Sequence, residues 1–168
     1  SFLCNGMNFK DIALLKNEDF KSNFIEFRRS KTKRTTKSGN LPIRIPMNDI
    51  SKAILRKYRG KGLNPKDPLF PIITKNMDEV QIDKAVENFI HITNKWLKRI
   101  GTELELPVKL TTYVARHSFA TIQKNNGLSR EYLKESLGHS SIATTERYLS
   151  SFEDEDVVEM HRKLLEGI

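Results

Sequence analysis

The alternation of apolar and polar residues predicts a chain of helices interrupted by one small sheet. Apolar residues recur every three or four positions in residues 7–15, 48–58 and 80–100, which is the spacing of one helix face. Residues 24–29 and 41–45 instead have the pattern of two strands, and a polar loop separates them. We therefore predict a mixed fold that is predominantly α-helical, with a small antiparallel β-sheet.

The longest predicted helix covers residues 80–100. Its periodicity defines one inward face, so Trp96 is interpreted as a core residue rather than as a platform for base stacking. His91 is interpreted as a structural or exposed residue. The residues that we expect to face inward are Ile82, Val86, Phe89, Ile90, Ile92, Trp96 and Leu97.

Two short helices are predicted near the C-terminal end. Ser129 is a favourable N-cap, Leu133 and Leu137 recur at helical spacing, and Gly138 is a typical stop signal. A second short helix then covers residues 141–149. The loop between these helices therefore begins at the residue that follows Gly138.

The charge and the composition of the chain favour some classes of function and exclude others. Twenty-nine Lys and Arg against 21 Asp and Glu give a net charge of +8, which suits a polyanionic partner, although many basic proteins bind no nucleic acid specifically. A single cysteine excludes an internal disulfide and a Cys-rich zinc cluster. Because no apolar run approaches the roughly 20 residues of a membrane helix, and no signal peptide opens the chain, we expect a soluble cytoplasmic protein.

Candidate chemistry is concentrated between residues 113 and 148. This run contains Arg116, His117, His139 and Tyr148. A guanidinium for the non-bridging oxygens, an imidazole donor and a phenolic nucleophile are the groups that phosphodiester transesterification needs. Tyr148 taken alone has the ordinary interpretation of a packing residue, so the combination carries the prediction.

The segments ARHSFAT and LGHSSIATTERY resemble the box II signature of the tyrosine recombinase (phage integrase) family. In that family the Arg of H-x-x-R, the His of L-G-H and a Tyr nine residues later are catalytic. The resemblance implies these roles for Arg116, His139 and Tyr148. It also implies the catalytic-domain fold over residues 1–168, without the N-terminal domain that grips the other side of the duplex.

The implied activity is site-specific DNA recombination or integration on double-stranded DNA, through a covalent 3′-phosphotyrosyl intermediate. Neither a cofactor nor a metal is implied. Tyr113 stands where H-x-x-R has its His. A phenol can hydrogen-bond phosphate oxygens but carries protons poorly at neutral pH, so a site role and a packing role for Tyr113 both stay open.

The N-terminal half departs from the family pattern at one position. The family motif G-L-R-x-x-E-L has its first catalytic arginine where this chain has Asn8, which brings no charge. Lys31 stands at the family's catalytic lysine, a general acid for the departing 5′ oxygen. Since alternate residues of a strand share a side, Arg29 would lie about 7 Å behind Lys31 on the same face. We hypothesise that Arg29 supplies the missing charge, with Arg28 or Arg44 as alternatives.

The remaining basic residues are assigned to the DNA backbone. Arg28, Lys33 and Arg34 also fit a merely solvated basic loop, which is the competing interpretation. The predicted DNA-binding residues are Arg28, Lys33, Arg34, Lys37 and Arg147.

Arg116 lies on a predicted helix face with Val114, Phe119 and Ile122. A guanidinium in this apolar setting needs an anionic partner. That partner is either a phosphate or, in the internal alternative, an acid such as Asp11 or Glu135. His117 is predicted to hold loop backbone rather than to act in catalysis.

The chain ends in a predicted amphipathic helix after residues 153–156. In the family the last helix often docks on a neighbouring protomer, which implies self-association on DNA. Packing within one chain fits the pattern equally well.

Two rival functions remain. A type IB topoisomerase uses similar groups, but the compact spacing of His139 and Tyr148 favours a recombinase. A non-catalytic, sequence-specific DNA-binding module would use residues 133–149 as a helix-turn-helix. Its base-reading residues would be Thr144, Thr145 and Arg147.

Overall fold

The computed structural model describes residues 1–30, 42–62 and 64–149. Its mainly helical fold with one small antiparallel sheet confirms the predicted class. The strands are β1 (Phe20–Lys21), β2 (Phe24–Phe27) and β3 (Ile43–Pro46). The helices are α1 (Phe9–Leu14), α2 (Asp49–Tyr58), α3 (Glu79–Glu103), α4 (Thr112–Asn125), α5 (Arg130–Leu137) and α6 (residues 142–149).

The sheet has the order β1-β2-β3, and both pairs are antiparallel. Ile25 lies opposite Ile45 and Phe27 lies opposite Ile43, so one face of the sheet is apolar. β2 ends at Phe27, two residues earlier than predicted, and Arg28 and Arg29 follow the strand. The sheet face packs into the larger core, formed by Met7, Leu15, Ile25, Phe27, Ile45, Met47, Leu55 and Leu69.

Side-chain caps fix where several helices begin. Asn48, at the start of α2, accepts a hydrogen bond from the Ser51 amide. Ser129 accepts from the Tyr132 amide at the start of α5, as predicted. Each cap satisfies a backbone donor that the helix itself leaves unpaired.

The inward face predicted for α3 is wrong at two positions. Val86 is buried, but Ile92 and Trp96 are 46% and 56% exposed, and Trp96 is therefore not a core residue. At 1.5 Å per residue, α3 is about 37 Å long, more than the core beneath it can cover. Its first half packs on α1, whereas the second half holds the following loop through Gly101 and Leu110. His91 is exposed, which is one of the two interpretations that the sequence allowed.

Helices α4, α5 and α6 enclose a second core beside the sheet. Its buried members are Phe119, Ala120, Leu133, Leu137 and Leu149, and Tyr148 packs against its edge. Ile122 was expected on the same face of α4 as Phe119, but it is exposed. Within the described residues, no helix combines the length and the apolar composition that a membrane crossing requires.

Candidate active site

Arg116 is the buried centre of the site, with only 4% of its surface exposed. Its Nη1 donates to the carbonyl of Gly6 at 2.8 Å, and its Nη2 donates to the carbonyl of Leu137 at 2.6 Å. The guanidinium therefore joins the chain before α1 to the end of α5. Neither Asp11 nor Glu135 forms an ion pair with it among the described residues, and Asp11 instead lies near Arg29, so the internal alternative of a salt bridge is not observed.

The electrostatics of Arg116 come from burial and from a second arginine. Burial lowers the pKa of Arg116, the positive charge of Arg29 lowers it further, and Tyr148, Tyr113 and Asp11 raise it. A guanidinium remains charged at neutral pH despite such a shift, because its ordinary pKa is so high. The site thus holds a permanent cation in a partly dehydrated position.

Arg29 lies beside Arg116, and the two side chains donate to the carbonyls of consecutive residues. Its Nη1 donates to Gly138 at 3.0 Å, while Arg116 holds Leu137. Two guanidiniums therefore meet the C-terminal end of α5, where the helix dipole favours positive charge. Nε of Arg29 is 3.9 Å from Oδ2 of Asp11, whose Oδ1 accepts from the amide and hydroxyl of Ser30.

Both glycines that supply these carbonyls are required by the geometry. Gly6 and Gly138 have φ values of +67° and +62°, in the left-handed region that disfavours other residues. A Cβ atom at Gly138 would lie 2.5 Å from Cδ1 of Ile43 and 3.1 Å from Cδ of Arg29. The sequence marked Gly138 only as a stop signal, so the contacts of both glycines with the arginines were missed.

Asn8 has a structural task in this fold. Its side-chain oxygen accepts a hydrogen bond from the Lys10 amide and caps α1. The position at which the resembling family has an arginine is therefore a helix cap here. The cation that lies beside Arg116 is Arg29, two residues after the end of β2.

His139 bridges Arg116 and α6. Its Nε2 is 3.3 Å from Nη2 of Arg116, and its Nδ1 is 2.9 Å from the hydroxyl oxygen of Thr145. Thr145 is completely buried, so it does not fit the base-reading role that the rival helix-turn-helix interpretation gave it. Nothing in the sequence pattern signalled this contact, because a Thr in a short helix has many ordinary roles.

Tyr148 lies in a cluster of rings at the edge of the second core. Its ring centroid is 5.6 Å from that of His139, 4.9 Å from His117 and 6.1 Å from Tyr113. Tyr113 is 50% exposed and packs edge-on against His117 at 4.0 Å. Because the neighbouring ring of Tyr113 is exposed, Tyr148 lies close to the protein surface.

The phenol of Tyr148 is held in its protonated form. Burial raises its pKa well above the ordinary value, the nearby Tyr113 raises it further, and Arg116 opposes the shift. A reacting Tyr148 would therefore have to lose its proton during the attack.

The remaining predicted site residues are either exposed or outside the part of the chain that the structure describes. Arg28 and Arg147 are exposed. Lys31, Lys33, Arg34 and Lys37 lie outside the described residues, as does the predicted C-terminal helix. In the part of the chain that the structure describes, His, Cys, Asp and Glu side chains form no cluster of three or more that could hold a metal ion.

Comparison with known proteins identifies the family. The model of the phage integrase family matches residues 5–155. The tyrosine recombinase XerA of Saccharolobus solfataricus is 30% identical over 136 residues, which are 81% of this chain and 38% of that protein. XerC of Pediococcus pentosaceus is 29% identical over 136 residues, 74% of this chain and 40% of that protein. The chain therefore spans less than half the length of these relatives.

Solved structures share the fold. A crystal structure of XerA recombinase superposes with a TM-score of 0.61 and 21% identity, covering 96% of this chain and 54% of that one. The Tn1549 transposon integrase in complex with circular intermediate DNA gives a TM-score of 0.57 and 20% identity, covering 88% and 52%. With a family model that matches most of its length, this chain belongs to the phage integrase family of tyrosine recombinases.

Proposed function

We propose that this chain is the catalytic part of a site-specific DNA recombinase or integrase, which cleaves and rejoins strands through a 3′-phosphotyrosyl intermediate. One observation carries the proposal. Arg116, His139 and Tyr148 come from three different segments, yet the guanidinium contacts the imidazole at 3.3 Å and the imidazole ring lies 5.6 Å from the phenol. Folding has brought together the groups that the sequence pattern indicated.

Each group has a role in this reaction. The oxygen of Tyr148 attacks the scissile phosphorus and passes its proton to Nε2 of His139, and the bond from phosphorus to the 5′ oxygen breaks. Arg116 and His139 stabilise the negative charge that develops on the non-bridging oxygens. Lys31, which lies outside the described residues, protonates the departing 5′ oxygen. The second half of the reaction reverses these steps with a 5′ hydroxyl from a partner strand.

Arg29 supplies the second cation at the phosphate. Its guanidinium lies on the carbonyl next to the one that Arg116 holds, and the charge of Arg29 affects the pKa of Arg116. Two adjacent guanidiniums are a favourable environment for a phosphate with two negative oxygens. Tyr113, at the mouth of the ring cluster, contributes a hydroxyl that can donate to the same phosphate.

The substrate is double-stranded DNA. The net charge of +8 favours it, and the exposure of Arg28 and Arg147 supports their proposed contacts with backbone phosphates. The transposon integrase of similar fold was solved in complex with DNA. Lys33, Arg34 and Lys37 are proposed as further backbone contacts. Self-association on DNA through the predicted C-terminal helix, and a cytoplasmic location, complete the proposal.

A suicide DNA substrate tests the function. This substrate carries a nick that lets the cleaved end diffuse away, so the covalent protein–DNA product accumulates. We expect an adduct with the wild-type chain and none with Tyr148→Phe, which lacks only the attacking oxygen. An adduct of equal yield in Tyr148→Phe would contradict the proposed nucleophile.

The second candidate is a DNA-binding module that does not cut. It is favoured by Asn8, which caps α1 where the family has a catalytic arginine. Sequence-specific retention of DNA, without adduct from any nicked substrate, would establish this alternative. A helix-turn-helix mode of reading is weakened, since the buried Thr145 cannot reach a base.

A further inference from the structure

Thr145 connects the imidazole of His139 to the helix that carries Tyr148. Its hydroxyl oxygen is 2.9 Å from Nδ1 of His139, within hydrogen-bond distance. Thr145 is fully buried, so water does not compete for this contact. It also precedes Tyr148 by three residues on α6, and both therefore lie on one side of that helix.

The proton positions on His139 follow from its two neighbours. A guanidinium has only donors, so the 3.3 Å contact with Nη2 of Arg116 requires Nε2 of His139 to accept. In a neutral imidazole the other nitrogen must then carry the proton. Nδ1 consequently donates, and the oxygen of Thr145 accepts.

We propose that Thr145 is a positioning residue for the strand-transfer reaction, whose hydroxyl accepts the Nδ1 proton of His139 and so directs Nε2 toward Arg116 and the phosphate. This inference rests on the proposed function for its catalytic consequence. The Nδ1–H···O bond is compatible with both forms of the ring, because Nδ1 is a donor in neutral and in protonated imidazole alike. Thr145 therefore keeps the ring oriented when Nε2 takes up the proton that Tyr148 loses and changes from acceptor for Arg116 to donor toward phosphate.

The alternative is that Thr145 only fills space between α5 and α6. Val has nearly the same shape and lacks the hydroxyl, so Thr145→Val separates the two explanations. Thr145→Ser keeps the hydroxyl and loses the methyl group. Thr102→Val is the matched control, because Thr102 lies exposed on α3 and its hydroxyl donates to the carbonyl of Lys98, away from His139.

The kinetic test measures adduct formation under single-turnover conditions on a suicide substrate, with DNA affinity and thermal unfolding recorded beside it. We expect Thr145→Val to slow cleavage by about 10- to 100-fold, the loss that follows when a partner that orients a metal-ligating His is removed. DNA affinity should stay near the wild-type value, Thr145→Ser should recover most of the rate, and Thr102→Val should leave it unchanged. A wild-type rate for Thr145→Val, or a slow Thr145→Ser, overturns the inference.

A double-mutant cycle shows whether Thr145 acts through His139. In a His139→Ala background, Thr145→Val should cause no further loss of rate. An equal loss in both backgrounds would mean that Thr145 supports the fold and not the imidazole, and it would reject the positioning role.

The tautomer itself provides a test that does not need activity. Long-range ¹H–¹⁵N spectra of the DNA-free protein distinguish the two neutral tautomers of His139. We expect the Nδ1–H form in the wild type and a shift toward the Nε2–H form in Thr145→Val. An Nε2–H ring in the wild type overturns the inference, even if Tyr148-dependent adduct shows that the proposed function is right. Conversely, the Nδ1–H form without any adduct would leave the Thr145 contact established and the proposed function wrong.

Discussion

The two halves of the candidate site compare differently with the family pattern. The half formed by α4 to α6 keeps Arg116, His139 and Tyr148 at the expected intervals, with Tyr113 in place of a His. In the other half, Asn8 caps α1 where the pattern has an arginine, and Arg29, which follows β2, lies beside Arg116. A phosphate responds to where a guanidinium lies and not to which element carries it. The comparison leads us to expect that Arg29 provides the charge that Asn8 lacks.

The largest expected effect on the cleavage rate comes from removing the charge of Arg29 and then adding a charge at position 8. Arg29→Ala should lower the rate of adduct formation by roughly 100-fold, the usual loss for one donor to a developing oxyanion. Adding Asn8→Arg to this variant should recover part of the rate, by supplying a guanidinium from α1. Single-turnover cleavage of a suicide substrate measures both.

Arg28→Ala is the control for this exchange. Arg28 is the exposed neighbour of Arg29, so its loss should weaken DNA binding with little change in cleavage at saturating DNA. Because Asn8→Arg removes a cap worth about 1 kcal/mol, thermal unfolding must accompany the assay. Full activity in Arg29→Ala would end the idea of compensation.

A smaller effect should follow from substituting Gly138, whose carbonyl accepts a hydrogen bond from Arg29. Gly138→Ala combines a left-handed φ with a Cβ atom 2.5 Å from Cδ1 of Ile43, and we expect it to destabilise the protein by about 2 kcal/mol or more. Gly127→Ala is the matched control. Its φ is +79° but no atom lies within 4 Å of the added Cβ, so only the conformational penalty of about 1 kcal/mol applies. Urea unfolding compares the two, and equal losses would contradict the close contact.

The smallest effect concerns the alkaline limit of stability. Because folding raises the pKa of Tyr148, the unfolded chain loses its phenolic proton at a lower pH than the folded protein does. This contribution to stability is complete below about pH 10, the ordinary tyrosine pKa, and is lost as pH rises above it. Wild type should lose stability more steeply than Tyr148→Phe there, by less than about 1.4 kcal/mol per pH unit. Parallel curves from urea unfolding between pH 9 and 11 would show that Tyr148 is solvated.

Local signals in the sequence predicted much of the fold. The cap at Ser129 and the stop at Gly138 depend only on neighbouring residues, and both occur where the sequence indicated. The alternation in β2 and β3 likewise predicted their pairing. The inward face of α3 failed at Ile92 and Trp96, because periodicity defines a stripe but not how far the rest of the protein extends to cover it.

The sequence by itself determined which reactive groups the chain carries, at what intervals, and on which short helices. It did so because helix caps and helical periodicity depend on residues that are only a few positions apart in the sequence. Only the tertiary structure decided that Arg29 stands beside Arg116, that Gly6 and Leu137 share one guanidinium, and that Thr145 faces His139. Those contacts join residues from different elements, and their distances depend on how whole helices and strands pack.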